Sequence, residues 1–301
     1  MKTLSVVISA LNEEKKIGRT LSSVRFADEI IVVDNGSTDE TSKIARSFGA
    51  KVFKRKNNKM LNVNKNYGFL KAHSDWILCL DADEEIPLDL KNEIQLVLSA
   101  EEDVSGFWIT RKNIIFGKWI QHGLWWPDKQ LRLFKRTSGS YPCQHVHEYI
   151  RIEGNTSDLK SAYIHYNYES ISQFIRKMDT LYSENEVENL LRASYQFSWF
   201  DAIRFPVSDF IKIYFAQEGY KDGLHGLVLS LLQGMYSLVV FTKLWEKKGF
   251  YEVDIPVDQI DRELKRDAKE IQFWLLTAKI RETKNRMVKT YYQIKKKLLH
   301  I

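Results

Sequence analysis

The sequence predicts an α/β fold built on a mostly parallel sheet, followed by a helical extension. Three observations carry this prediction. β-rich runs at residues 4–9, 29–33, 51–53 and 76–80 alternate with helical patterns, as expected of parallel crossovers. Residues 106–152 switch to short, aromatic-rich β-like runs such as GFWITRKNIIFGKWI and KQLRLFKR. From about residue 171 the apolar periodicity is helical.

The first strand, residues 4–9, leads into a helical pattern over about residues 13–24, with Ile17, Leu21 and Val24 on one face. The next strand ends at Asp34. In DNGSTDET the Asn35-Gly36 pair marks a turn, and Ser37 or Thr38 is placed to cap a helix that Asp39 and Glu40 open favourably. Gly49 suits a left-handed cap where that helix stops near Phe48. A short strand (51–53), a helix (about 63–73) and the strand at 76–80 follow. The last strand is apolar throughout, reads as buried on both faces, and delivers Asp81 and Asp83 to its end. Ligands of such sheets bind at the carboxyl ends of the strands, where Ser9, Asp34 and Asp81 all fall. Two carboxylates at one strand end repel and lose hydration unless a cation sits between them. A hard divalent ion bridging to phosphate oxygens is the natural candidate; a plain acidic loop is the bland alternative.

Trp125 and Trp126 lie in a long loop, residues 121–128, where they either pack into a core or line a cleft. PCQHVHEYI brings His145, His147 and Glu148 into close succession. Residues 223–245 form an apolar run of bilayer-spanning length. It is interrupted by Gly226, Gln233 and Gly234 and flanked by basic residues. A span, an interfacial helix dipping into one leaflet, and a buried bundle helix are all open readings. Residues 258–299 form a charged helical region with Ile260, Leu264, Ile271, Leu275 and Ile280 at helical intervals.

The chain has 301 residues, 44% hydrophobic and 28% charged, enough for one large or two small domains. Its net charge is +6, and basic residues outnumber acidic ones in the last sixty residues, which end in KKKLLHI. That bias suits an anionic membrane surface or a nucleic acid. Interspersed acids and the lack of a base-reading motif exclude nucleic acid as a partner. Cys79 and Cys143 have no metal spacing and demand no oxidising compartment. The N-terminal apolar stretch is too short for a signal peptide, so a cytoplasmic protein is expected. SALNEEKK lacks the glycine-rich phosphate cradle of nucleotidyl transfer.

SVVISALNEEKKIGRTLSSV, IIVVDNGSTDETSKIA and LDADE, in that order and spacing, resemble the family 2 glycosyltransferases of GT-A fold over about residues 1–150. KWIQHGLWWPDKQLRLFKR, HVHEYI and FIKIYFAQEGYKDGLHGLVLSLLQGMY look like a narrower branch that includes the bacterial lipopolysaccharide core β-1,4-glucosyltransferases. The resemblance implies a GT-A catalytic domain at 1–170, with a donor half at about 1–100 and an acceptor half at about 101–170. A helical, membrane-associating extension follows at 171–301. It implies a nucleoside-diphosphate sugar donor, UDP-sugar favoured, and Mg²⁺ or Mn²⁺. Asn12, Glu13, Asp34, Asn66 and Asp81 would face the donor, with Asp34 on the base, and Arg132 would add positive charge at the leaving group. Asp83 would hold the metal, with Asp81 in its shell and His147 as a further ligand. Glu148, or alternatively Asp128, would be the base, in a reaction that inverts the anomeric centre. Trp125 and Trp126 would meet a membrane-borne glycan acceptor, such as inner-core lipopolysaccharide, at the cytoplasmic face of the inner membrane. Sugar transfer to a polyprenyl phosphate or a protein, and a non-catalytic membrane-surface adaptor, are the competing expectations. Donor sugar and oligomeric state are not encoded in these motifs.

Overall fold

The structure is a computed structural model and describes residues 2–58, 61–101, 103–144 and 148–299. It has two compact units, Met1–Ile115 with Pro127–Asn167, and Phe116–Trp126 with Tyr168–Ile301. Phe116–Trp126, placed by the sequence reading in the acceptor half, groups with the helical unit. The Phe116 N–H donates to the Tyr168 carbonyl (2.8 Å), and Lys118 Nζ donates to the Asp222 carbonyl (2.6 Å).

In chain order the strands are β1 (Leu4–Ala10), β2 (Glu29–Asp34), β3 (Lys51–Lys54), β4 (Trp76–Asp81), β5 (Glu84–Glu85), β6 (Gly106–Ile115), β7 (Lys118–Trp119), β8 (Asp128–Lys135), β9 (Gly139–Ser140), β10 (Arg151–Ile152) and β11 (Thr156–Tyr168). The main sheet runs β3-β2-β1-β4-β8-β6-β11-β5. Its first four strands are parallel, because helices α1 (Ile17–Ser23), α2 (Thr41–Ser47) and α3 (Leu61–Lys71) carry the chain back between them. The β8 strand pairs antiparallel with β4 and with β6, and β11 with β5. The sheet is therefore mixed: the parallel part is the half that the βαβ alternation predicted.

Strand alternation divides the core in two. Val6 and Ile8 face Ile17 and Leu21 of α1 and Leu90 and Ile94 of α4 (Leu88–Ser99). Val7, Ile31 and Val33 face Phe69 of α3 together with Phe134 and Tyr141. Gly68 lets α3 lie close to the sheet, since a Cβ there would stand 2.4 Å from Val7 Cγ1 and 3.0 Å from Val33 Cγ2.

At the opposite rim of the sheet from the strand ends, the Glu29 carboxylate accepts from Ser5 Oγ (2.6 Å), Lys51 Nζ (2.8 Å) and the His73 N–H (3.0 Å). Burial opposes ionisation, but these hydrogen bonds outweigh it and lower the pKa to about 2 from an ordinary 4.5. A lowered carboxylate pKa stabilises the fold above the ordinary value, and that contribution is lost as pH falls from about 4.5 toward about 2. Glu29→Gln should cost about 1–2 kcal/mol near neutrality, with Lys51, 60% exposed, adding a screened share. Urea midpoints of the two proteins should converge across that acid window; a constant difference would refute the assignment.

The second unit is helical. Ser170 caps α5 (Ile171–Lys177) through a hydrogen bond from the Gln173 N–H. A π-helical turn, Met178–Tyr182, joins it to α6 (Ser183–Arg192). Then follow α7 (Asp201–Ile211), α8 (Leu224–Lys247), α9 (Val257–Glu282) and α10 (Arg286–Lys297). Gly234 brings α8 against α7, where a Cβ would stand 2.9 Å from the Pro206 carbonyl oxygen. Arg204 of α7 donates to Glu263 of α9 (2.7 Å), and Lys243 of α8 to Glu184 of α6 (2.9 Å). Among the described residues α8 is the one helix long and apolar enough to cross a membrane. One face buries Gly226, Leu229, Gly234, Ser237, Val240 and Leu244, while Leu231, Met235 and Leu238 on another are exposed. The charged helical region at 258–299 is two helices, because Asn285 starts a new one. Its side chain accepts from the Met287 and Val288 N–H groups.

Candidate functional site

The parallel pairing sets the strand ends side by side, with Ala10 opposite Asp34 and Ser9 opposite Asp81. The loops after β1 and β2 are stitched together above this rim. Asn12, at φ 55°, accepts from the Thr38 N–H (2.8 Å) and donates its own N–H to Ser37 Oγ (2.9 Å). The Glu13 N–H donates to Thr41 Oγ1 (2.8 Å) and the Glu14 N–H to Asp39 (3.1 Å). These bonds hold Glu13–Lys16 as a turn, so α1 begins at Ile17 rather than near residue 13. The hydroxyls expected to cap α2 are used elsewhere; Asp39 accepts from the Thr41 N–H at its start instead (3.0 Å).

Asp34 is wholly buried, and its carboxylate accepts from the Ser37 N–H (2.8 Å) and from Ser42 Oγ. Burial opposes its ionisation, but those bonds outweigh it and lower its pKa. These bonds tie the carboxylate to the loop and helix that follow β2. Asn66 is committed in the same way. Its side chain donates to the Tyr141 carbonyl (2.8 Å) and accepts from the Tyr141 N–H (2.9 Å), clamping that segment to α3.

The two acids at the end of β4 have different surroundings. Asp81 lies 2.6 Å from Lys65 Nζ and 3.2 Å from Arg132 Nη2. Burial works against its charge, yet the two cations hold it well below the usual carboxylate range. Arg132 is 4% exposed. It also pairs with the wholly buried Glu84 (2.6 Å) and donates to Tyr163 Oη (3.2 Å). Burial pushes the Glu84 pKa up, against the pull of Arg132. The cation between the acids, sought as a metal in the sequence, is for Asp81 a pair of side chains.

Asp83 is held more loosely, with Oδ2 3.9 Å from Lys16 Nζ and Oδ1 3.6 Å from His165 Nε2. The ring of His165 is oriented from behind. Asp128, which can only accept, takes a hydrogen bond from Asn113 Nδ2 (3.1 Å), and this fixes the Asn113 amide with its oxygen toward His165 Nδ1 (2.7 Å). His165 therefore donates from Nδ1 to Asn113 and faces Asp83 with Nε2. A carboxylate oxygen and an imidazole nitrogen this close form a donor pair able to share one cation, leaving its other positions to phosphate oxygens or water. The described residues contain no group of three or more His, Cys, Asp or Glu side chains arranged to hold a metal. His147 lies outside them.

Residues 5–152 match the model for Glycosyl transferase family 2. The chain belongs to that family. It is similar to an uncharacterized glycosyltransferase of Rickettsia typhi, 28% identical over 258 residues that cover 82% of this chain and 88% of that one. It is also similar to the lipopolysaccharide core biosynthesis glycosyltransferase LpsC of Rhizobium meliloti, 26% identical over 253 residues that cover 81% and 92%. Among solved structures, S. aureus TarS 1-349 in complex with UDP-GlcNAc aligns over 84% of this chain and 94% of its own, with 18% identity and a TM-score of 0.45.

In this glycosyltransferase the two base candidates sit in separate networks. Glu148 accepts from the Cys143 N–H (2.8 Å), the Gln144 N–H and Asn62 Nδ2 (3.3 Å). Asn62 lies three residues before Lys65 on α3, so the Glu148 and Asp81 carboxylates attach to one helix face about a turn apart. Asp128 is ion-paired with Arg111 (Nε 2.7 Å, Nη2 2.6 Å) and also accepts from Gln130 (2.8 Å). Its oxygens are spent on holding β6 to β8 and on orienting Asn113. Trp125 and Trp126 belong to the second unit, half-buried beside a 3₁₀ turn, with Trp126 edge-on to Trp119 of β7 at 5.2 Å. Asp222 fixes their loop by accepting from the Gln121 (3.1 Å) and His122 (2.9 Å) N–H groups.

The sequence reading missed Lys16, Lys65, Glu84, Asn113 and His165. Lys65 had a signal: Asn62, Asn64, Lys65 and Asn66 crowd one short helix with polar groups that must find partners if buried. Asn64 does so by donating to Asn35 Oδ1 (2.6 Å). His165 had none, as it lies eighty-two residues from Asp83 in a strand of ordinary composition.

Proposed function

We propose that the chain is an inverting, metal-dependent transferase that moves a sugar from a nucleoside-diphosphate sugar, UDP-sugar favoured, to a membrane-borne glycan such as inner-core lipopolysaccharide. The observation that carries this reading is the rim pair, with Asp81 neutralised by Lys65 and Arg132 while Asp83 and His165 are set to share a cation. The name of the Rhizobium relative supports the choice of acceptor class.

In this reading Asp83 and His165 hold Mg²⁺ or Mn²⁺, which when bound neutralises charge on the departing diphosphate. Lys16, at the start of α1, adds positive charge beside Asp83. Lys65 and Arg132 keep Asp81 ionised and fixed as a donor contact, and Asp34 with Asn12 gives the nucleotide loop its shape. Glu148 takes the proton of the acceptor hydroxyl. Its backbone donors at Cys143 and Gln144 and the Asn62 amide hold the carboxylate in place, whereas Asp128 is ion-paired with Arg111. One displacement with one base inverts the anomeric centre. The protein works at the cytoplasmic face of the inner membrane, where such donors and acceptors meet.

Incubation with a panel of nucleotide sugars and Mn²⁺ should release nucleoside diphosphate from one class of donor, and no release from any would overturn the reading. Glu148→Gln should lower turnover about 10²–10⁴-fold with little change in donor KM. Asp128→Asn should act through His165, weakening metal dependence more than it slows saturated turnover. The reverse pattern would move the base role to Asp128.

A further inference from the structure

The last helix carries a feature that sugar transfer does not need. Met287, Tyr291, Ile294 and Leu298 recur at intervals of three and four residues and form one stripe along α10, 80%, 59%, 56% and 67% exposed. The helix does not pack through that stripe. Its other side lies on α9, where Lys296 Nζ sits 3.8 Å above the Phe273 ring and Lys279 sits 5.5 Å above the Tyr292 ring. Basic residues border the stripe, Lys295 on one flank and Arg286 and Lys297 on the other, and Lys284 precedes the helix. From residue 284 to 299 the chain has no acidic residue.

We propose that α10 is an in-plane anchor for an anionic lipid surface. An apolar stripe alone would fit many partners, but the flanking charges narrow the choice. The stripe can enter the acyl boundary while lysine and arginine stems extend from it to place their charges among anionic headgroups. A polyanion in solution would leave the stripe unburied, and a second copy of α10 would set its own lysines against like charge. The proposal takes the membrane-borne acceptor from the reading above as its reason for being at a bilayer, but α10 would bind lipid whether or not that acceptor is correct.

The test is sedimentation of the full chain with vesicles of phosphatidylcholine alone or mixed with phosphatidylglycerol, with donor hydrolysis assayed in parallel. The protein should pellet with the anionic vesicles and stay in solution with the neutral ones. Arg286→Gln, Lys295→Gln and Lys297→Gln together should weaken binding on the order of 100-fold. Tyr291→Ser with Ile294→Ser should weaken it about 10-fold or more. All variants should hydrolyse donor like the wild type, so loss of hydrolysis in the wild type would count against the transferase reading without touching this one. Equal binding to both vesicle types would overturn the anchor. Insensitivity to the Tyr291 and Ile294 changes would reduce it to charge attraction and also overturn it. A dimer in solution that those two changes dissociate would assign the stripe to a second copy instead.

Discussion

Asp83→Ala is expected to lower sugar transfer about 10³-fold or more, a loss of about 4 kcal/mol in transition-state stabilisation, while leaving the fold nearly as stable as before. The two halves of that expectation have separate causes. Asp83 touches its neighbours at 3.6 and 3.9 Å, longer than the 2.6 Å of the Asp81–Lys65 pair. Its backbone carbonyl, which accepts from the Tyr166 N–H at 3.0 Å, is unchanged by the substitution. Lys16 keeps Glu13 at 3.5 Å, and His165 keeps Asn113 at 2.7 Å. The loss falls on chemistry because Asp83 is the carboxylate of the proposed donor pair with His165. Calorimetric binding of UDP with and without Mn²⁺ separates this from a misfolded site. Mn²⁺ should strengthen binding to the wild type and make little difference to the variant, at equal melting temperatures. A variant whose UDP binding still responds fully to Mn²⁺ would remove Asp83 from the metal.

Asp81 and Asp83 were legible as a pair because a buried strand that ends in two acids is a local pattern. Their unlike roles were not, because the difference lies in what the fold brings to each. Lys65 arrives from α3, sixteen residues upstream, and Arg132 from an antiparallel strand fifty-one residues downstream. The order of β1, β2, α3 and β4 followed from alternation, since period and turn residues act within a few positions. The antiparallel half of the sheet was read only as extra strands, because pairing partners in β8, β6 and β11 are chosen by tertiary packing. Asn66 and Asp34 show a related limit. A sequence motif marks a position but not the side chain's partners in the fold, Tyr141 for Asn66 and Ser37 and Ser42 for Asp34. Asp128 is a third case. Its bond to Asn113, and through Asn113 to His165, links residues fifteen to fifty-two positions apart.

Arg132→Met is expected to cost about 3–5 kcal/mol of stability, the largest effect on folding of any single change at the site. Arg132 is 4% exposed and forms a 2.6 Å ion pair with the wholly buried Glu84. Methionine fills much of the volume but leaves Glu84 charged and fully buried and removes one of the two cations on Asp81. Burial already raises the Glu84 pKa, and loss of the guanidinium raises it further. An acid whose folded pKa lies above its unfolded one destabilises the fold at high pH, and the penalty fades as pH falls through the folded value toward the unfolded one. The variant should therefore be weakest relative to the wild type near neutrality and recover as Glu84 takes up a proton, until Asp81, which still needs its charge for Lys65, begins to protonate. Adding Glu84→Gln should restore part of the loss at neutral pH, because it removes the stranded charge. Urea unfolding of the three proteins over this range decides the matter. A pH-independent deficit, or no rescue in the double variant, would mean that Arg132 stabilises the sheet by packing and that the Glu84 charge is balanced elsewhere.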